Sequence, residues 1–257
     1  MALKVYLTGQ DLRLFINSPE DPTKDLVPLS HEHGLYKLCD ELFCFLNGDT
    51  DHAKKCRALF EKIFGIRGDP EAARQTTSFL SNPPAIIFGP IQKDYGFHER
   101  VDHLANVIFV NDLTWIKYYL CFDADPSSPK TMAAYEVLKA VVLHETGHCA
   151  VSQVLGATEF DVATIGLTPL PSLSLADIME LERYRDNDIR KRSTPKLLTA
   201  PWMTEGEAGY WLEYEVYGGV VELDENYRAI LQTSDKNFHL LDSEILQKAR
   251  HEIVINF

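Results

Sequence analysis

The 257-residue chain carries 45% hydrophobic and 25% charged side chains, ordinary globular usage that supports a sizeable core and excludes wholesale disorder. Its 38 acidic and 25 basic residues leave a formal charge of −13, a surface that repels a phosphate backbone and argues against a nucleic-acid partner. No apolar run approaches bilayer-spanning length, so no membrane segment is expected.

The first ten residues lack a sustained apolar stretch and are soon followed by Asp11 and Arg13, which does not read as a secretory leader. Leu3–Leu7 is a strand candidate, followed by a loop containing Pro19, Pro22 and Pro28. Leu35–Leu46 and Ala53–Phe64 place apolar residues at helical spacing, the first closed by Asn47-Gly48. Asp69 and Pro70 signal the start of a third short helix over Glu71–Leu80. After Asn82-Pro83-Pro84, the β-branched runs Ala85–Phe88 and Asn106–Val110 predict two strands.

A loop over Asp123–Pro129 leads to a long helix with Thr131 as N-cap, running to about Leu155 and ending at Gly156. The stretch from Thr158 to Ala200 is rich in Ser, Thr and Pro and predicts one charged helix over Leu175–Arg192. Its basic run, Arg190–Lys196, reads as a solvated loop. From Trp202 another helix runs to Gly218-Gly219, a stop signal; Val220–Leu223 then reads as a strand and Ser243–Ile253 as a final helix. Five cysteines (Cys39, Cys44, Cys56, Cys121, Cys149), odd in number and without a CxxC pair, read as reduced thiols of a cytoplasmic protein. Helices and strands are segregated, which predicts an α+β domain over 1–257, with the sheet in 1–125 and a mainly helical part in 126–257.

One segment carries chemistry. Ala140-Val-Val-Leu-His144-Glu145-Thr-Gly-His148-Cys-Ala-Val151 has the form HExxH inside an apolar helix. Residues four apart on a helix share a face, so His144 and His148 can converge on one tetrahedral ion. Glu145, beside the first ligand, reaches the water that the ion activates and can serve as general base. No other charged residue occurs from Ala140 to Leu155, and a buried His pair and Glu without a metal would be costly. Gly147 costs helix propensity, and its missing side chain leaves room for a neighbouring backbone.

The segment resembles the active-site helix of the zincin metallopeptidases over residues 137–155. The resemblance implies a zincin-like fold with a small N-terminal sheet over the active-site helix, a Zn2+ ion, and hydrolysis of peptide bonds in a peptide or protein substrate. A catalytic zinc keeps three protein ligands and one open position. Val151 and Val154 stand where the metzincin branch requires Gly and His, so that branch is excluded, and the surroundings of Asp161 do not resemble the aspzincin continuation.

The gluzincin pattern points instead to Pro201-Trp-Met-Thr-Glu205-Gly-Glu207-Ala-Gly-Tyr210-Trp-Leu-Glu213. Glu205 fits a Glu-Gly-x-Ala setting, and Glu207 fits a Glu-Ala-Gly setting in which small residues let the two helices pack closely. Glu207 is the preferred third ligand, with Glu205 the alternative. Thr204 and Glu207 also form a capping box, with Glu207 three residues into the helix. Glu213 is a candidate to orient an imidazole, whereas Tyr210, Tyr214 and Tyr217 receive no assigned role.

The remaining histidines carry less. His98 and His103, five apart, diverge on a helix, and His31-Glu-His33 reads as the start of a helix or turn. Neither a GxSxG elbow nor a phosphate loop is present, and Gly65-Ile-Arg-Gly68 reads as a turn. The sequence thus predicts a zinc peptidase with His144, His148 and Glu207 on the metal and Glu145 as base. The alternatives are a zincin-shaped binding or scaffold protein without catalysis, and a metal-free protein in which HETGH is accidental.

Overall fold

The computed structural model describes residues 14–16, 27–31, 33–89, 95–98, 106–111, 127–155, 198, 200–201, 207–233, 237–242 and 244–246. The strand expected at Leu3–Leu7, the charged helix at Leu175–Arg192, Asp161, His103 and Cys121 lie outside them.

Two short strands, β1 (Leu14–Ile16) and β2 (Val27–Pro28), precede helix α1 (Gly34–Leu46), α2 (Asp51–Phe64), a 3₁₀ turn (Gly65–Arg67) and α3 (Ala72–Ser81). The local signals explain their limits. His33 caps α1 by accepting from Leu35 N, and Thr50 caps α2 by accepting from Ala53 N. Gly68 ends the 3₁₀ turn at φ +72°, a conformation that costs glycine little. The third helix begins after Glu71, with Asp69 accepting from Glu71 N.

The two expected strands form the centre of a five-stranded sheet. β3 (Ala85–Gly89) pairs in parallel with β5 (Val107–Asn111), Ala85 opposite Val107, and on its other side with β1. β4 (Gly96–His98) closes one end antiparallel to β5, and β2 the other, in the order β2-β1-β3-β5-β4. β3 and β5 are buried at every position, the pattern of strands covered on both faces.

Helix α4 (Pro129–Leu155) carries the HExxH motif and packs against α1, α2, β4, β5 and the C-terminal elements. It begins two residues before the expected Thr131 cap: Ser128 Oγ accepts from Thr131 N, and Pro129 occupies the first helical position, where its missing N–H is not needed. From Thr131 to Ser152 every residue is buried except His144 and His148. The helix is therefore enclosed all round, with one opening at the motif stripe.

The C-terminal part is α5 (Ala208–Tyr217) followed by an antiparallel meander, β6 (Gly219–Leu223), β7 (Ala229–Thr233) and β8 (Phe238–Leu240). The described residues of 126–257 are mostly helical, and the meander adds β7 and β8 to the one strand expected there. Gly218 at φ +80° terminates α5 as its Gly-Gly signal predicts, with its N–H bonded to Tyr214 O. The chain then turns directly into β6, and Val221 and Leu231 close over the core. Residues 244–246 are helical, with Asp242 accepting from Glu244 N and Ile245 N. The architecture is α+β, and among the described residues no helix is long and apolar enough to cross a membrane.

Candidate metal centre

The site is built where α4 crosses α5, the two helices in most extensive contact. Their close approach depends on small residues. A Cβ on Gly147 would come 3.2 Å from Leu212 Cδ2 and 3.3 Å from the Ala208 carbonyl. A Cβ on Gly209 would fall 2.2 Å from His144 Cδ2, inside the imidazole. The room expected at Gly147 and at Ala208-Gly209 is therefore used, by a neighbouring backbone in one case and by the ring of His144 in the other.

Glu207 reaches the histidines from the start of α5. It lies outside the helix, at φ −145° and ψ 102°, and acts as the N-cap itself: its Oε2 accepts from Tyr210 N at 2.5 Å. The capping box expected on Thr204 is thus corrected, because Glu207 is not three residues into the helix. The two carboxylate oxygens divide the work. One satisfies the helix end, while Oε1 contacts His148 Nε2 directly and lies 3.8 Å from His144 Nε2. Glu205, the alternative ligand, lies outside the described residues.

The Nε2 atoms of His144 and His148 are 3.2 Å apart, and one donor atom from each of His144, His148 and Glu207 lies within 4.8 Å of the others. Ligands about 2.0–2.1 Å from a tetrahedral ion stand roughly 3.3 Å from one another. The His–His and His144–Glu207 separations sit close to that edge length. Two imidazoles and a carboxylate, each partly open to solvent, form a donor set that could hold a metal ion.

Behind the cluster, His144 Nδ1 donates to Glu213 Oε1 at 2.6 Å. A carboxylate accepts here, so Nδ1 carries a hydrogen, and Nε2, which faces Glu207 and His148, is the nitrogen that can give a lone pair to an ion once its own proton leaves. Glu213 is itself held, its Oε2 accepting from Val221 N at 3.2 Å across the α5–β6 corner. Tyr210 stands edge-on to His144, ring centroids 4.7 Å apart at 88°. The orienting role considered for Glu213 matches its position, and Tyr210 packs against the imidazole; Tyr217 is buried in the core.

The charges are strongly coupled. Burial disfavours the imidazolium of His144, but the charge of Glu207 and the bond to Glu213 outweigh it and hold its pKa up, at about 10. Burial likewise opposes ionisation of Glu207, yet the charges of His148 and His144 bring it down to about 2. Burial raises Glu213, with His144 pulling the other way. Without an ion the site is therefore a proton-holding His–Glu network.

Glu145 is buried on the same helix, with the short strand β4 running over it. A Cβ on Gly96 would meet Glu145 Cγ and Val141 Cγ1 at 3.0 Å and Phe109 O at 2.9 Å. This approach escaped sequence reasoning, although an isolated glycine in a short strand is the usual sign of one. Of the other histidines, His33 serves as the α1 cap and His98 lies in β4. Cys149 points away into the core, where burial raises its thiol far above the ordinary range. No disulfide joins Cys39, Cys44, Cys56 or Cys149. No protein-family model matches the chain, and no curated protein or solved structure is detectably similar to it.

Proposed function

We propose that this protein is a zincin-like, zinc-dependent peptidase in which His144, His148 and Glu207 hold the ion and Glu145 is the general base. The observation that carries the reading is the convergence of a third, acidic donor from the start of α5 on the two open positions that the motif helix has between Thr131 and Ser152. A chance HExxH has no reason to meet a carboxylate there, nor to have its first imidazole oriented by a second one.

A zinc ion held by His144, His148 and Glu207 would supply Lewis acidity, to polarise a scissile carbonyl and to acidify water. Glu145 takes the proton of the attacking water and delivers it to the departing nitrogen. Glu213 keeps His144 in one tautomer and orientation throughout. β4, the terminal strand of its sheet among the described residues, lies against the helix at Glu145, so an extended peptide added beside it would bring its backbone to the base.

The test is elemental analysis of the purified protein and its His148→Ala variant, together with turnover of a quenched fluorescent peptide library by wild type and Glu145→Gln. About one zinc per chain, lost in His148→Ala, is expected for a single three-ligand site. Peptide cleavage should be abolished in Glu145→Gln while its zinc is retained. Zinc without any turnover would leave a zincin-shaped binding protein, and no zinc after reconstitution would remove the metal reading.

A further inference from the structure

Beside the cluster lies a carboxylate that the proposed chemistry does not use. Glu222 follows Val221, the residue whose N–H binds Glu213, and so stands one step along β6 from the support of His144. Val221 and Leu231 face the core, which turns Glu222 to the opposite face of the meander. It is half-buried there, yet no hydrogen bond or ion pair joins its carboxylate to another described residue. Arg228, at the turn of the same hairpin, is committed to Asp224 at 2.7 Å.

The surroundings of Glu222 suit a long cationic side chain. Directly across the strands lie Ile230 and then Leu240, the latter 48% exposed, an aliphatic row in register with the carboxylate. From the other sheet comes Tyr95, 39% exposed, whose main chain is fixed at the entrance to β4 by accepting from Asn111 N at 2.7 Å. Tyr95 immediately precedes Gly96, the residue lying against Glu145, and the Glu222 charge reaches its phenol and raises it, after burial. Burial and the nearby Glu213 hold Glu222 itself above the ordinary carboxylate range.

We propose that Glu222, flanked by Tyr95 and the Ile230–Leu240 row, determines specificity by receiving a lysine or arginine side chain of the substrate close to the scissile bond. The inference rests on the peptidase reading for the word substrate. Its physical basis is separate: a carboxylate for the charged head, an aromatic ring beside it, and an aliphatic track for the methylene stem. The overall charge of −13 favours the same class of peptide at long range.

Binding and turnover must be read separately. An equimolar library of random synthetic decapeptides is passed over immobilised, zinc-loaded Glu145→Gln protein, and over the same protein with Glu222→Gln or Glu222→Lys added. Retained peptides are sequenced by mass spectrometry. The expected result is about five-fold enrichment of lysine and arginine at one position, the ratio a single partly exposed ion pair supports. That enrichment should vanish with Glu222→Gln and turn toward aspartate and glutamate with Glu222→Lys. No basic enrichment, or one indifferent to both substitutions, overturns the proposal. Cleavage of the same library by wild type reports the peptidase independently: turnover without basic selection sinks only the Glu222 site, and basic retention without turnover sinks only the hydrolase.

Discussion

Gly209→Ala separates helix propensity from the geometry of the metal centre. Gly209 is the second residue of α5, and propensity alone predicts that alanine there stabilises the helix by up to about 1 kcal/mol. The structure predicts the reverse. The new Cβ would stand 2.2 Å from His144 Cδ2 and 2.3 Å from Nε2, whereas ordinary contact begins at 3.4 Å, so the ring must retreat by about 1.2 Å (3.4 − 2.2) or the helices must separate. His144 cannot retreat freely, since Nδ1 is tied to Glu213 at 2.6 Å. Overpacking of this kind costs roughly 1–3 kcal/mol, which cancels or exceeds the propensity gain.

The effect on metal should be larger than that on folding, because ligand distances tolerate only about 0.2 Å of error. Zinc affinity, measured by competition with a chromogenic chelator, is expected to fall at least about 100-fold, and ten-fold corresponds to about 1.4 kcal/mol. Denaturant unfolding of the metal-free protein measures the folding part by itself. Gly147→Ala is the internal comparison: its Cβ meets Leu212 Cδ2 at 3.2 Å and Ala208 O at 3.3 Å, so small shifts absorb it and its effect should stay within about 1 kcal/mol. If Gly209→Ala binds zinc like the wild type and unfolds at equal or higher denaturant, the close approach of His144 to α5 is refuted.

Two further outcomes are expected. In the metal-free protein His144 holds its proton to about pH 10, well above its ordinary 6.5, so the stability it contributes is complete below about pH 6.5 and is lost as pH rises through about 10. Zinc takes the neutral imidazole, so calorimetry in buffers of different ionisation enthalpy should show about one proton released per zinc near neutral pH, and almost none above pH 10; a buffer-independent heat at neutral pH would contradict the network. Away from the site, Glu136 and Lys139 form a buried pair at 2.8 Å on α4, and Glu136 Oε2 has no hydrogen-bond partner. Lys139→Met should strand that carboxylate and cost about 3–5 kcal/mol in urea unfolding, with most of it recovered in Glu136→Leu/Lys139→Met; a single variant within 1 kcal/mol of wild type would refute the pairing.

The parts legible in the sequence are those written in local spacing. α1 and α2 follow from apolar residues recurring at helical intervals, and Asn47 and Thr50 mark their limits. β3 and β5 follow from short β-branched runs after a proline break, although their parallel register does not. The meander was read only at β6. Its other strands are five and three residues long, and β8 is exposed throughout, so it offers no alternation of buried and open positions.

For the candidate site, the division is sharper. The sequence determined that two imidazoles share a helix face with a glutamate beside the first, because helical geometry alone places residues four apart together. Small residues at Gly147, Ala208 and Gly209 likewise announced a close approach. Tertiary structure decided which carboxylate meets the histidines, that Glu207 caps α5 and faces the cluster at once, and that Glu213 supports His144 from 69 residues away. It also decided that β4 lies over Glu145. Such relations depend on how helices and sheets pack, and spacing along the chain does not encode a distance between segments that chain connectivity leaves free to approach in many ways.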